Sequence, residues 1–207
     1  MQKLAIILFS ILSLSCFSQK NKAAFSGELL YNIEKLSPAD STPSKMLIYA
    51  KDSLLKVINF SSILGKQEMI KHLRLERSYV LVTTTKGKFA IKNKANSTAD
   101  TLSYSYKKKF GSKRIAGIRA KRLEVSLKGV DKKFIFYYTP KINAKYGAAY
   151  QNLPGLVLEY FVATDKGLFK YIIEDISFNE PPLSLFMIPD DFKKVSLEEF
   201  VEAVSNP

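Results

Sequence analysis

From Phe25 to Ser177 the chain alternates apolar and polar side chains with a period of two, which commits it to a sheet. Leu29, Tyr31 and Ile33 alternate with Glu28, Asn32 and Glu34. Leu102, Tyr104 and Tyr106 alternate with Ser103 and Ser105, and Leu123, Val125 and Leu127 with Arg122, Glu124 and Ser126. Successive side chains of a strand point to opposite faces, so each run has one apolar face to bury. Segments near 46–50, 54–60, 78–84 and 88–92 also read as strands. Leu156, Leu158 and Tyr160 lie on one face of a further strand, and Val157 and Phe161 on the other. A strand apolar on both faces is covered on both.

Turn residues separate these runs. Asp52-Ser53, Lys86-Gly87 and Lys128-Gly129 suit hairpins, as does Asp165-Lys166-Gly167, where glycine accepts a positive φ. The last of these predicts Val162 opposite Leu168. Residues 37–44, with Pro38 and Pro43, read as an irregular loop. After the strands comes one helix. Ser196 and Glu199 form a capping box, with Val195 and Phe200 at the staple positions. Leu197, Phe200, Val201 and Val204 are expected to form its apolar stripe. The fold class is therefore mainly β, an antiparallel sheet closed by a C-terminal helix. At 207 residues it fits a single domain.

The first 18 residues read as a signal peptide. Lys3 precedes the apolar run Leu4 to Leu14, which is too short for a membrane span. Small residues then lead to cleavage after Ser18, leaving 19–207 as the domain. The alternative is a lipid anchor on Cys16. Ser15 suits it, but Ser13 is a poor residue three positions before the cysteine, so soluble export is favoured. The expected location is the periplasm or the outer membrane. A domain without cysteine must hold itself by burial, and 14 Phe with 11 Tyr supply the area.

The formal net charge is +13. In an exported protein this charge meets anionic membrane surfaces or acidic polymers rather than nucleic acid. The plainer reading of the charge is solubility: the basic residues are spread over Lys107-Lys108-Lys109, Lys113-Arg114, Arg119-Lys121-Arg122 and Lys132-Lys133, much of this at strand ends and turns where lysine also discourages edge-to-edge association.

The most specific segment is Tyr137 to Val162. Pro140 ends an aromatic strand after Thr139, and fourteen residues then lead to Pro154. The spacing of Leu153-Pro154-Gly155-Leu156 predicts a type II turn with glycine at positive φ. The tyrosines of the loop, Tyr146 and Tyr150, either pack down on the sheet or form a rim for an apolar ligand, and packing is favoured.

These residues resemble the GLPGLI family of secreted envelope proteins from Gram-negative bacteria. The likeness rests on Tyr138, Thr139, Pro140 and Ile142, then Leu153, Pro154, Gly155, Leu156 and Val157, with Asn152 in place of the leading glycine. Residues 115–121 and Ile188-Pro189-Asp190-Asp191-Phe192 are similar to uncharacterised relatives of the lipoprotein carriers LolA and LolB. The resemblance implies a strongly curved antiparallel sheet, a LolA/LolB-like open half-barrel. It lends no catalytic residues and no cofactor.

Chemical constellations are sparse. His72 is the only histidine, and a site needs convergent partners. Zinc lacks ligands, and no calcium-loop spacing occurs. Glu124, Glu159, Glu174 and Asp175 are strand carboxylates. Glu159 and Glu174 would face each other only with a longer hairpin loop, and both read as ion-pair members, with Lys170 a partner. The resemblance to the LolA/LolB-like proteins implies a non-enzymatic protein holding a lipid or other amphiphile on the concave face. Tyr104, Tyr106, Phe136, Tyr138, Tyr150, Tyr160 and Tyr171 would line that face. The alternative is an envelope protein that docks a transporter or assembly partner through the 139–154 loop.

Overall fold

The computed structural model describes residues 24–37, 39–61, 65–93 and 103–205. The expected signal peptide, its cleavage point and Cys16 lie outside them. Among the described residues twelve strands form one sheet: β1 (Gly27–Ser37), β2 (Ala39–Lys51), β3 (Leu54–Ser61), β4 (Gly65–His72), β5 (Arg77–Thr84), β6 (Gly87–Asn93), β7 (Tyr104–Ile115), β8 (Ile118–Leu127), β9 (Lys133–Thr139), β10 (Leu156–Thr164), β11 (Gly167–Ser177) and β12 (Lys193–Val195). One helix, α1 (Leu197–Ser205), follows. The spatial order is β12-β6-β5-β4-β3-β2-β1-β11-β10-β9-β8-β7, with β12 and β7 at the two edges.

All neighbouring pairs but one are antiparallel, and most are joined by short turns; β1 meets β11 from far along the chain, and β9 reaches β10 through residues 140–155. The exception is β12, which runs parallel to β6, with Lys194 opposite Ala90. Two registers differ from the sequence expectation. The β10–β11 hairpin pairs Thr164 with Gly167 and Ala163 with Leu168, so its loop is two residues and Val162 faces Phe169. Residues 39–44 belong to β2 rather than to an irregular loop, with Leu36 opposite Ala39 and Lys35 opposite Asp40; Pro38 lies outside the described residues. The register shifts between Ile33 and Lys35. Such a bulge tolerates Pro43, which has no amide to give a ladder.

The inner face carries the core: Leu29, Tyr31, Ile48, Leu55, Leu123, Val125, Phe136, Leu158 and Tyr160 are all buried. Residues 140–155 lie across it. Tyr146 donates to the Asp52 carbonyl at the β2–β3 turn (2.7 Å), while Tyr150 packs on Tyr104 of β7. Laid flat, the strands from β3 to β7 would spread over about 34 Å. The curved sheet brings both to one short stretch of loop.

Beyond β3 the same alternation continues with different covers. Phe89, Ile91 and Val195 pack with Phe200, Ala203 and Val204 of α1. Ile70, Leu81 and Ala90 lie beneath Ile188 and Phe192. The capping box forms as expected: Ser196 N–H donates to Glu199 Oε2 (2.6 Å) and Glu199 N–H to Ser196 Oγ (3.1 Å). The helix seats a different stripe from the expected one, because Leu197 and Val201 are 58% and 50% exposed. Ala203 takes their place, since only the Phe200–Val204 side meets the sheet.

Candidate functional site

The 140–155 loop is packed rather than raised. Ile142, Ala144, Tyr146, Tyr150 and Leu153 are buried, and residues Ala144–Tyr146 form a short 3-10 turn capped by the Asn143 side chain. The Phe25 amide also donates to the Tyr146 hydroxyl (3.1 Å).

The loop's exit is not a type II turn. Gly155 has no positive φ; the left-handed residue is Tyr150 (φ 57°), and Leu153 N–H closes a turn onto the Tyr150 carbonyl (3.2 Å). Gly155 is required by proximity instead. A Cβ there would overlap the Thr139 carbonyl oxygen and stand 2.8 Å from its carbon and 2.9 Å from Pro140 Cα. Leu156 pairs with Thr139 in the β9–β10 ladder, and its amide donates to the Ile142 carbonyl (2.9 Å). The two halves of the motif, Thr139-Pro140 and Leu153-Pro154-Gly155-Leu156, thus meet each other and clasp the base of the loop. No ligand contact is needed to explain them.

Five of the seven aromatic residues expected to line a concave cavity meet one another instead. Tyr150 sits edge-on to Tyr104, Phe136 and Tyr160 at 5.0, 5.0 and 5.7 Å, and Tyr160 stacks on Tyr171 at 4.7 Å. Tyr31 joins edge-on to Tyr160 at 5.8 Å. Tyr138 is buried apart from this cluster, and Tyr106 is exposed on β7. The rings fill the face that they were expected to leave open, because edge-to-face packing satisfies aromatic surfaces at such spacings. Burial pushes the Tyr31, Tyr150, Tyr160 and Tyr171 hydroxyls above their usual range, with neighbouring phenols adding to it at Tyr150 and Tyr160.

An open cleft lies elsewhere, where two strands part. The β9–β10 ladder runs from Leu156–Thr139 to Glu159–Tyr137, with a register shift after Val157, and goes no further. Residues 133–136 pair only with β8, and residues 160–164 only with β11. Tyrosine hydroxyls serve carbonyls at this break: Tyr31 donates to Val157 (2.9 Å) and Tyr150 to Phe161 (2.5 Å).

A cleft of about 480 Å³ opens there. Leu36, Phe134, Ile135, Tyr137, Phe161 and Leu168 give it apolar walls, and Lys113, Arg122, Lys132 and Lys133 a cationic rim. Its one carboxylate, Glu159, is only 7% exposed. Glu159 pairs with Lys113 and, at 3.7 Å, with Lys170. The Lys113 ammonium also lies 4.1 Å from the centre of the Tyr137 ring. Lys133 leans on Glu124 at 3.6 Å. Arg122 and Lys132 have no ion pair among the described residues. The cleft therefore carries excess positive charge beside apolar walls.

Three of the four strand carboxylates, Glu124, Glu159 and Glu174, are held in ion pairs. Glu159 faces Ile172, while Glu174 pairs with Lys45 at 2.8 Å. His72 Nδ1 accepts the Leu75 amide (3.3 Å) and so supports the turn after β4. Among the described residues no three His, Cys, Asp or Glu side chains are grouped to hold a metal.

The basic residues of the rim were visible in the sequence as charge clusters. The cleft was not, because it depends on where the β9–β10 ladder ends. No protein-family model matches the chain, and no curated protein matches it either.

Proposed function

We propose that this is an exported, non-enzymatic envelope protein that binds an anionic amphiphile in the β9–β10 cleft. The carrying observation is the pairing of apolar walls with unneutralised Arg122 and Lys132 at the mouth. A pocket of this kind takes a hydrocarbon chain against Phe134, Ile135, Phe161 and Leu168 and a carboxylate or phosphate at its rim. The signal-like first 18 residues and the resemblance to the GLPGLI and LolA/LolB-like proteins support an envelope setting. The ligand position moves from the concave face, where aromatic rings are packed together, to the split in the sheet.

Native mass spectrometry with palmitate and with hexadecanol tests this reading. Palmitate should add one ligand mass, and hexadecanol, with the same chain and no charge, should add less. Arg122→Glu combined with Lys132→Glu should abolish the preference for the acid. No uptake, or uptake that ignores the double reversal, overturns it.

A second reading, docking of a protein partner, is favoured by one observation: Phe178, Leu183 and Met187 are all exposed on the segment between β11 and β12. It places the partner on that segment rather than on the 139–154 loop, whose tyrosines point inward. Cross-linking in envelope extracts, lost on Leu183→Asp with Met187→Asp, would support it. Unchanged cross-linking would remove it.

A further inference from the structure

Strand β7 is an edge, and Ser105 to Arg114 are all exposed. Between Lys107 and Arg122 the β7–β8 hairpin holds eight basic residues and no acidic one. Lys109 pairs opposite Arg122 and Ser112 opposite Lys121, so Phe110 and Gly111 have no counterpart on β8. These two residues bulge from the ladder. Gly111 takes φ +115°, a conformation that side chains resist, and the Phe110 ring is fully exposed. Tyr106 is exposed on the same strand.

Lysines on an edge strand are explained by protection against strand addition. Phe110 is not, since an exposed aromatic ring on an edge invites association. A soluble polyanion would match the charge and give the ring nothing to enter. An anionic bilayer supplies both, with phosphates for the lysines and an acyl boundary for the ring. We propose that the β7–β8 edge docks on an anionic lipid bilayer, with Phe110 inserted below the headgroups. This docking goes beyond the binding of an amphiphile in the cleft and does not depend on it.

The sequence contains no tryptophan, so Phe110→Trp places a single reporter at the contact. With vesicles of equal parts phosphatidylcholine and phosphatidylglycerol, its emission should shift to the blue and be quenched by brominated acyl chains. Pure phosphatidylcholine should give neither effect. Phe110→Ser should lower partitioning into the anionic vesicles by roughly tenfold or more. Lys107→Gln and Lys108→Gln should each lower it by roughly fivefold. Palmitate uptake should be unchanged in Phe110→Ser, so failure of docking and failure of the cleft reading are separable. Absence of vesicle binding overturns the proposal. So does binding with unshifted emission that heparin matches, which would assign the edge to polyanions in general.

Discussion

Replacing Gly155 separates two reasons for a glycine. If the residue served a positive φ, alanine would cost about 1 kcal/mol and asparagine, which tolerates that region, would recover much of it. The structure gives another reason: the Cβ itself has no room, since it overlaps the Thr139 carbonyl and lies 2.9 Å from Pro140 Cα. Both neighbours are backbone, so the strand must move. Relief separates Leu156 from its partner Thr139 and weakens the 2.9 Å bond from Leu156 N–H to the Ile142 carbonyl. Losing about one hydrogen bond and overpacking a buried site together cost about 3 kcal/mol. With a urea slope near 2 kcal/mol per molar, the midpoint should fall by about 1.5 M. Gly155→Ala, →Asn and →Val should all suffer by similar amounts. Gly117→Ala is the control: φ there is +74° and nothing lies within 4 Å of the added carbon, so about 1 kcal/mol is expected. A Gly155→Ala cost below about 1 kcal/mol, or a clear recovery with asparagine, would refute the close-approach argument.

Three other outcomes are expected. Tyr150→Phe keeps the ring in its cluster and strands the Phe161 carbonyl, so urea unfolding should show a loss of about 1–2 kcal/mol; an unchanged midpoint would mean that water replaces the hydroxyl. The buried phenols of Tyr31, Tyr150, Tyr160 and Tyr171 hold their protons above the usual range, whereas the unfolded chain releases them near pH 10. Their contribution is therefore full below about pH 10 and lost as pH rises above it, so circular dichroism and tyrosinate absorbance should change together in alkali; tyrosinate forming well before structure is lost would contradict it. Glu159→Gln should strengthen palmitate binding by releasing Lys113 and Lys170 toward the headgroup. The same change should lower stability by about 1 kcal/mol, the part-exposed pair being discounted for solvent screening; weaker binding would place Glu159 away from the ligand.

Local patterns in the sequence determined the strands. Alternation at 29–33 and 123–127 specified which side chains face inward, and the Ser196–Glu199 box specified the start of α1. Local chemistry dictates both, because pleat and cap act within a few residues. Strand β12 left no such signal: three residues join β6 in parallel only after the chain has crossed the sheet. The aromatic residues were identifiable, but whether they enclosed a space or filled one was not. That depends on Tyr150, whose left-handed backbone sends its ring between strands far apart in the sequence. The motif around Pro154 was legible as a feature and misread as a turn, since the reason for Gly155 is the backbone of Thr139, sixteen positions earlier. The cleft was the least visible. Its charges stand in the sequence as Lys113, Arg122 and Lys132-Lys133, but its walls exist only because two strands part after Tyr137 and Glu159. Where a ladder stops is settled by register and curvature across the whole sheet, and no local pattern carries that information.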